Sequence, residues 1–387
     1  MRRRPAMPHC DSGLHSGHAD ASPCGTRRWT MWTKWLGALL LASSALAARA
    51  QPAPPPAPAD VLAIPTALKQ QFREQVIDPT RLPHARLERL IDFLFGPRGL
   101  GMTYDAAANH TVAQAYATRK ANCMSFTLLT VALAREAGLE AYGQQIDETL
   151  AWRRDHDTLY RTQHVNAGVR IRGRKLTIDV AWDEVITRRP PHPIRDERLV
   201  AHYYNNRAAE LLEHGAIEDA LRHAGIALQL DPGYATSWSN VGVMHLRNGD
   251  RVRAQQAYSH ALALDPDHPG ALFNLVAFHQ RAGEHDAVRP LQARLDAVQA
   301  RDPFHHFLLA TGFERDGDLE RAVRHYRQAI ALHDGEHRFH FGLARAYFLQ
   351  GDSRRAGRSL ARARELSQGD TRQLYQAKLD VLRAAER

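Results

Sequence analysis

The sequence predicts an α+β domain followed by an all-α solenoid of helical repeats. Three observations carry this expectation. Glycine recurs every 34 residues through the C-terminal half. A stretch free of Pro and Gly opens at Cys123 and runs to Ala137. Two alternating apolar/polar segments follow it, around residues 163–171 and 176–181. The 387 residues are enough for two separate cores.

The N-terminus reads as an export signal. Met31-Trp-Thr-Lys34 is a short basic start, Trp35–Leu46 is apolar, and Ala48-Arg49-Ala50 is an A-x-A-type cleavage site. The apolar run is shorter than the roughly 20 residues that a membrane span needs. Residues 1–30 resemble neither a signal nor a domain, so Met31 is the expected true start and 1–50 the expected signal region. This places the mature protein in the periplasm or outside the cell. Residues 1–50 also hold seven Lys/Arg against two Asp, and the rest of the chain holds 44 basic against 40 acidic residues. A net charge of +4 gives no case for nucleic acid as a partner. Of the three cysteines, Cys10 and Cys24 precede the cleavage site, so the mature chain keeps Cys123 alone and forms no internal disulfide.

Residues 51–60 form a Pro/Ala linker, expected to be extended. Residues 61–198 make one domain of ordinary size. Within it Leu87, Leu90, Ile91 and Leu94 mark an amphipathic helix. From Cys123 onward Phe126, Leu129, Leu133 and Ala137 recur at helical spacing, with Leu128 and Ala132 widening the stripe. Asn122 suits the N-cap and Gly138 the C-terminal stop. Cys123 therefore falls at a helix N-terminus, where the macrodipole and free N–H groups favour thiolate and are placed to hold an oxyanion.

A thiolate nucleophile needs a base that later protonates the leaving group. In Gln163–Ile171, Val165, Ala167, Val169 and Ile171 share one face, while His164, Asn166, Gly168 and Arg170 share the other. In the next segment Leu176, Ile178 and Val180 alternate with Thr177, Asp179 and Ala181. If both apolar stripes face one core, His164 and Asp179 lie together on the opposite face of a hairpin. They are then directly opposite or one diagonal step apart, about 5–8 Å between Cβ atoms. That is the logic of a triad in the order Cys123, His164, Asp179. Asp183 is a rival acid and His156 a rival base.

At these residues the segment Tyr104–Asp183 resembles the transglutaminase-like superfamily, a branch of the papain-like cysteine enzymes. The matches are Cys123 on a helix ending in Arg135-Glu-Ala-Gly138, then His164, then Asp179. Leu100–Tyr104 resembles the lead-in. The family's His-Ala-Trp is His164-Val-Asn here, and its Asp-Pro is Asp179-Val. The resemblance implies a papain/transglutaminase-like α+β fold and cysteine-dependent amide chemistry, either hydrolysis or acyl transfer, with no cofactor and no metal.

In the C-terminal part, residues 199–387, Gly215, Gly249, Gly283, Gly317 and Gly351 are each 34 residues apart. Ala220, Ala254, Ala322 and Ala356 follow by five residues, and Ala227, Ala261, Ala329 and Ala363 by twelve. Gly allows the tight turn between antiparallel helices, and Ala lets them approach closely. This is the period of an all-α tetratricopeptide solenoid, about five units and a solvating cap helix over Thr371–Ala385. The third unit is degenerate, with Val288 and Leu295 at the Ala positions and Pro290 early in its second helix. His333, Glu336, His337 and His340 straddle a repeat boundary and read as exposed polar residues rather than metal ligands.

Two functions follow. One is an exported cysteine enzyme whose repeats bind a protein or peptide on their concave face. The other is a catalytically inert head in a repeat scaffold of a cell-envelope complex. A third reading is a cytoplasmic adaptor, in which the apparent signal is an ordinary apolar helix.

Overall fold

The computed structural model describes residues 54–155, 158–180 and 190–385. The export segment, the rival base His156 and the rival acid Asp183 lie outside the described residues.

The end of the Pro/Ala stretch is docked rather than free. Pro58–Val61 makes one helical turn (α1), Val61 is fully buried, and the Tyr204 hydroxyl donates to the Pro56 carbonyl. Thr66–Phe72 (α2) continues into a wide turn over Arg73–Ile77 and leads to Pro83–Phe95 (α3). Proline at the start of α1 and α3 sits where no backbone N–H is needed. In α3 Leu87, Leu90 and Leu94 are buried as expected, but Ile91 is 38% exposed. Phe93 takes its place, packing edge-on against Phe72.

Thr103–Tyr104 (β1) pairs in parallel with Lys120–Ala121 (β2). Between them Val112–Thr118 (α4) starts with a capping box of Thr111 and Gln114. Arg119, at φ 59°, ends α4 and turns the chain into β2. Two residues later Cys123–Glu136 (α5) begins. The sequence suggests a one-sided apolar stripe on this helix, but Met124 through Ala134 are all buried, so α5 is enclosed on every face.

Glu140–Asp155 (β3), Thr158–Ile171 (β4), Arg174–Ile178 (β5) and His192–Pro193 (β6) form an antiparallel sheet in the order β5-β4-β3-β6. Arg172 and Gly173 join β4 to β5 with both φ angles positive, the geometry of the tightest hairpins. The turn sets the register, which pairs Ala167 with Ile178 and Val169 with Leu176.

Five helix pairs follow among the described residues. They are Asp196–Glu213 with Ile217–Leu230 (α6, α7), Ala235–Arg247 with Arg251–Leu264 (α8, α9), and Pro269–Ala282 with His285–Gln299 (α10, α11). Pro303–Arg315 with Leu319–Leu332 (α12, α13) and His337–Leu349 with Ser353–Leu366 (α14, α15) complete the set, and Gly369–Ala385 (α16) ends it. The five inter-helix glycines all adopt φ between 72° and 82°. The alanines at the two periodic positions are fully buried in units one, two, four and five. Pro290 lies within α11. Helix α16 leaves Leu374 and Val381 exposed.

A methyl group on Gly342 of α14 would lie 2.3 Å from Cε1 of Tyr326 on α13, a ring that is itself fully buried. Gly342→Ala should therefore lower stability by about 1–2 kcal/mol, the overpacking cost outweighing the helix propensity gained. Thermal melts followed by circular dichroism check this, and an unchanged or raised Tm refutes it.

Candidate functional site at the start of the buried helix

Cys123 is the first residue of α5, and three short polar side chains fix it there. The Asn122 side chain accepts the N–H of Ser125 at 3.0 Å, capping the helix. The buried Ser125 hydroxyl accepts the His110 N–H at 2.6 Å and reaches the carbonyl of Ala108 at 2.8 Å, tying the preceding loop to the first turn. The Thr127 hydroxyl lies 2.8 Å from the Cys123 carbonyl and 3.1 Å from that of Val165, so it ties the turn bearing Cys123 to strand β4.

The hairpin brings in the other two residues as the alternation predicts. Extending the β4–β5 register by one pair sets Asp179 opposite Asn166 and one diagonal step from His164. His164 Nε2 lies 2.7 Å from Asp179 Oδ2. His164 is 4% exposed. Burial pushes its pKa down, but its bond to Asp179 and the nearness of Asp179 and Cys123 outweigh burial and raise it to about 9. The three residues named from sequence are thus gathered at one place, His164 bonded to the carboxylate and Cys123 beside them. Cys123, Thr127, Asn166, Ile178, Asp179 and Val180 line a small pocket there.

Asn166 was not singled out from sequence. Its Nδ2 donates to the same Asp179 oxygen that His164 contacts, at 2.9 Å. Its Oδ1 is buried and without a hydrogen-bond partner among the described residues. The signal was present: Asn166 sits two residues beyond His164 on the same strand face, next to an antiparallel neighbour bearing the acid.

At the last repeat boundary Glu336 and His340 are buried, and His333 and His337 are half-buried rather than exposed. Glu336 is fully buried, caps α14 and pairs with Arg338 at 2.9 Å. His337 contacts the Tyr375 hydroxyl and His340 the Asp334 carbonyl, both at 3.0 Å. Among the described residues no group of three or more His, Cys, Asp or Glu is placed to hold a metal ion. Among the same residues no helix is long and apolar enough to cross a membrane.

The tetratricopeptide repeat family model matches residues 205–269 and 307–371. No curated protein matches the chain in sequence. Among solved structures, a fragment of MamA from Desulfovibrio magneticus RS-1 is 22% identical and covers 43% of this chain and 94% of its own, with a TM-score of 0.25. YrrB, a repeat protein of the same kind with an unusual peptide-binding site, is 19% identical and covers 46% and 92%, with a TM-score of 0.26.

Two outcomes follow from the site. A His164 raised to about 9 from 6.5 stabilises the fold fully below about pH 6.5, and this contribution is lost as pH rises through 9. The stability gap between wild type and His164→Gln should shrink over that window, by up to about 3 kcal/mol. Guanidinium unfolding at pH 6.5 and 9.5 measures it, and a gap that stays constant refutes it. In Asn166→Leu, which keeps the branched shape of the side chain but removes the donor to Asp179, the His164 ring should titrate below about 9 by NMR. A titration unmoved from the wild type shows that Asp179 is held without Asn166.

Proposed function

We propose, with the tetratricopeptide repeats as premise, that the chain is a cysteine-dependent amide-bond enzyme of the transglutaminase-like kind whose repeats bind a protein partner. The observation that carries this is His164 bonded to Asp179 at 2.7 Å with Cys123, at the start of α5, lining the same small pocket as that carboxylate. The order and spacing of the three residues along the chain support the same family. Repeats of this type support a protein-interaction role.

In this reading the Cys123 sulfur attacks the carbonyl carbon of an amide, with backbone N–H groups at the start of α5 holding the developing oxyanion. The C–N bond breaks, and the His164 imidazolium gives its proton to the leaving amine. A thioester remains on Cys123. Water or a second amine then attacks it, the neutral His164 takes a proton from that nucleophile, and the sulfur leaves. Water gives hydrolysis and an amine gives acyl transfer. Asp179 keeps the imidazole oriented and stabilises its cationic form throughout.

We place this chemistry in the periplasm or outside the cell on the strength of the N-terminal sequence. The mass of the mature N-terminus tests that: a chain starting at or near Gln51 supports export, and an uncut one overturns it.

The second reading is an inert head on a repeat scaffold, and the small size of the pocket beside Cys123 favours it. Alkylation of Cys123 by iodoacetamide, read by mass spectrometry at pH 7, separates the two. The enzyme reading expects modification at least about tenfold faster than for a free cysteine, with His164→Ala slowing it by a similar factor. A slow rate that the substitution leaves unchanged overturns the enzyme reading and leaves the scaffold.

A further inference from the structure

The chain's positive charge is not evenly spread. Residues 51–336 hold 33 Lys/Arg against 35 Asp/Glu, whereas residues 337–387 hold 11 against 5. The last helix pair and α16 therefore carry all of the net positive charge beyond the N-terminal segment. Much of it is uncompensated: Arg354, Arg372 and Arg383 have no carboxylate within ion-pair distance among the described residues. The balance over residues 51–336 makes this a local feature and not a property of the whole surface.

The same end of the solenoid bears an apolar groove of about 510 Å³ between α14 and α16. Phe341 and Phe348 from α14 and Val381 and Leu382 from α16 line it. Phe348 is 58% exposed and Val381 71% exposed. Two cations lie along it. Arg345 is committed to Glu314, but Lys378 stands over the Phe341 ring at 5.8 Å with its ammonium free of any carboxylate among the described residues. On α16 the exposed Leu374, Lys378 and Val381 follow one another at intervals of four and three, so they form one stripe along the helix. Helix α16 thus shows water an apolar stripe with a cation in its middle.

We propose that this groove binds an acidic segment of a partner protein that carries bulky apolar side chains. The apolar residues of the segment fill the space between Phe348 and Val381, as one helix lays its apolar face into the groove of another. Its carboxylates face Lys378, and the positive charge of the last helices, with Arg372 and Arg383 on α16 itself, speeds encounter and excludes basic segments. This rests on the partner-binding role of the repeats and is independent of the chemistry at Cys123.

The test uses the whole mature chain and fluorescein-labelled Leu/Glu amphipathic peptides, with a Leu/Lys peptide of the same pattern and a Ser/Glu peptide as controls. Binding is read by fluorescence anisotropy at low and physiological salt. The Leu/Glu peptide should bind at least tenfold more tightly than either control, and its affinity should weaken with salt. Val381→Glu and Phe348→Ser, both at exposed positions, should each raise Kd about tenfold. Lys378→Glu should weaken binding and reduce its salt dependence. Cys123→Ala should bind as the wild type does. Equal binding of the Leu/Lys or Ser/Glu peptide overturns the proposal, as does displacement by single-stranded DNA but not by unlabelled Leu/Glu peptide. Binding of the Leu/Glu peptide that none of the three groove substitutions alters keeps the recruiting role of the repeats but overturns this groove as its site. A dimer seen by sedimentation in the wild type and lost in Val381→Glu also overturns it, because the groove is then filled by a second copy.

Discussion

Helix α5 runs through the head with eleven consecutive residues shielded from water, and the position of Cys123 follows from where that helix begins. Burying a Leu side chain is worth roughly 1.5–3 kcal/mol, and Leu128, Leu129 and Leu133 are all fully buried. The N-cap bond from Asn122 is worth about 1 kcal/mol. Burial therefore holds the helix in place, and the cap only decides at which residue it begins. Because no face of α5 is spare, it cannot rotate to bury a different stripe. Cys123 is thus presented at the helix start in large part by the packing of Leu128, Leu129 and Leu133, which do not line the pocket. Ser125 and Thr127 add direction, binding the first turn to the loop before it and to β4.

The hairpin is constrained in a different way. A slip of one residue between β4 and β5 would turn either His164 or Asp179 to the wrong face. Arg172 and Gly173 prevent that slip by closing the turn in two residues, both with positive φ. Polar pairs tie the neighbouring strand β3 to this hairpin, where Thr177 of β5 donates to Gln144 and Arg170 of β4 pairs with Glu140. Asn166 then converts a strand register into a side-chain geometry, because one carboxylate oxygen meets both its amide and the imidazole. Its leftover acceptor is a standing cost of about 1–3 kcal/mol. A group kept buried at such a cost is better accounted for by what it holds than by how well it packs.

Periodicity made much of this legible. The 34-residue glycine spacing gave the helix pairs, and two-residue alternation gave the face shared by His164 and Asp179. Both signals are local and repeat often enough to be averaged. Where the outcome depended on contacts distant in sequence, the pattern was silent or misleading. Ile91 has the spacing of a core residue, yet Phe93 occupies the core because Phe72 stands beside it. Glu336 looks like an exposed boundary residue and is fully buried, since its own helix N-terminus and Arg338 satisfy it. The end of the Pro/Ala stretch looked like a free linker because nothing nearby in sequence announces that Tyr204 will take the Pro56 carbonyl. Asn166 was missed for the same reason, its importance lying in a partner thirteen residues away.

The element least visible in the sequence is α6, which belongs to both parts. By period it is the first helix of the repeats. By packing it closes the head: Leu199 seats against Gly143, Asp196 takes a bidentate bond from Arg135 at the end of α5, and His202 bonds Gln145 of β3 at 2.9 Å. Burial, with Arg198 nearby, pushes the His202 pKa down to about 3, so the contact is a neutral one that ordinary pH does not disturb. The apolar edge that a first repeat would leave open is thereby covered by the head, and Leu199, Tyr203 and Tyr204 share one core with α5 and the sheet. The two ends of the solenoid are therefore unlike. One is sealed into the fold that carries Cys123, and at the other α16 leaves an apolar stripe exposed. Among the described residues α6 joins head and repeats directly, since Leu199, Tyr203 and Tyr204 pack in the core of the head and Ala208 and Leu212 in that of the first repeats. The first repeat is consequently tied, through Asp196 and Arg135, to the helix that presents the thiol.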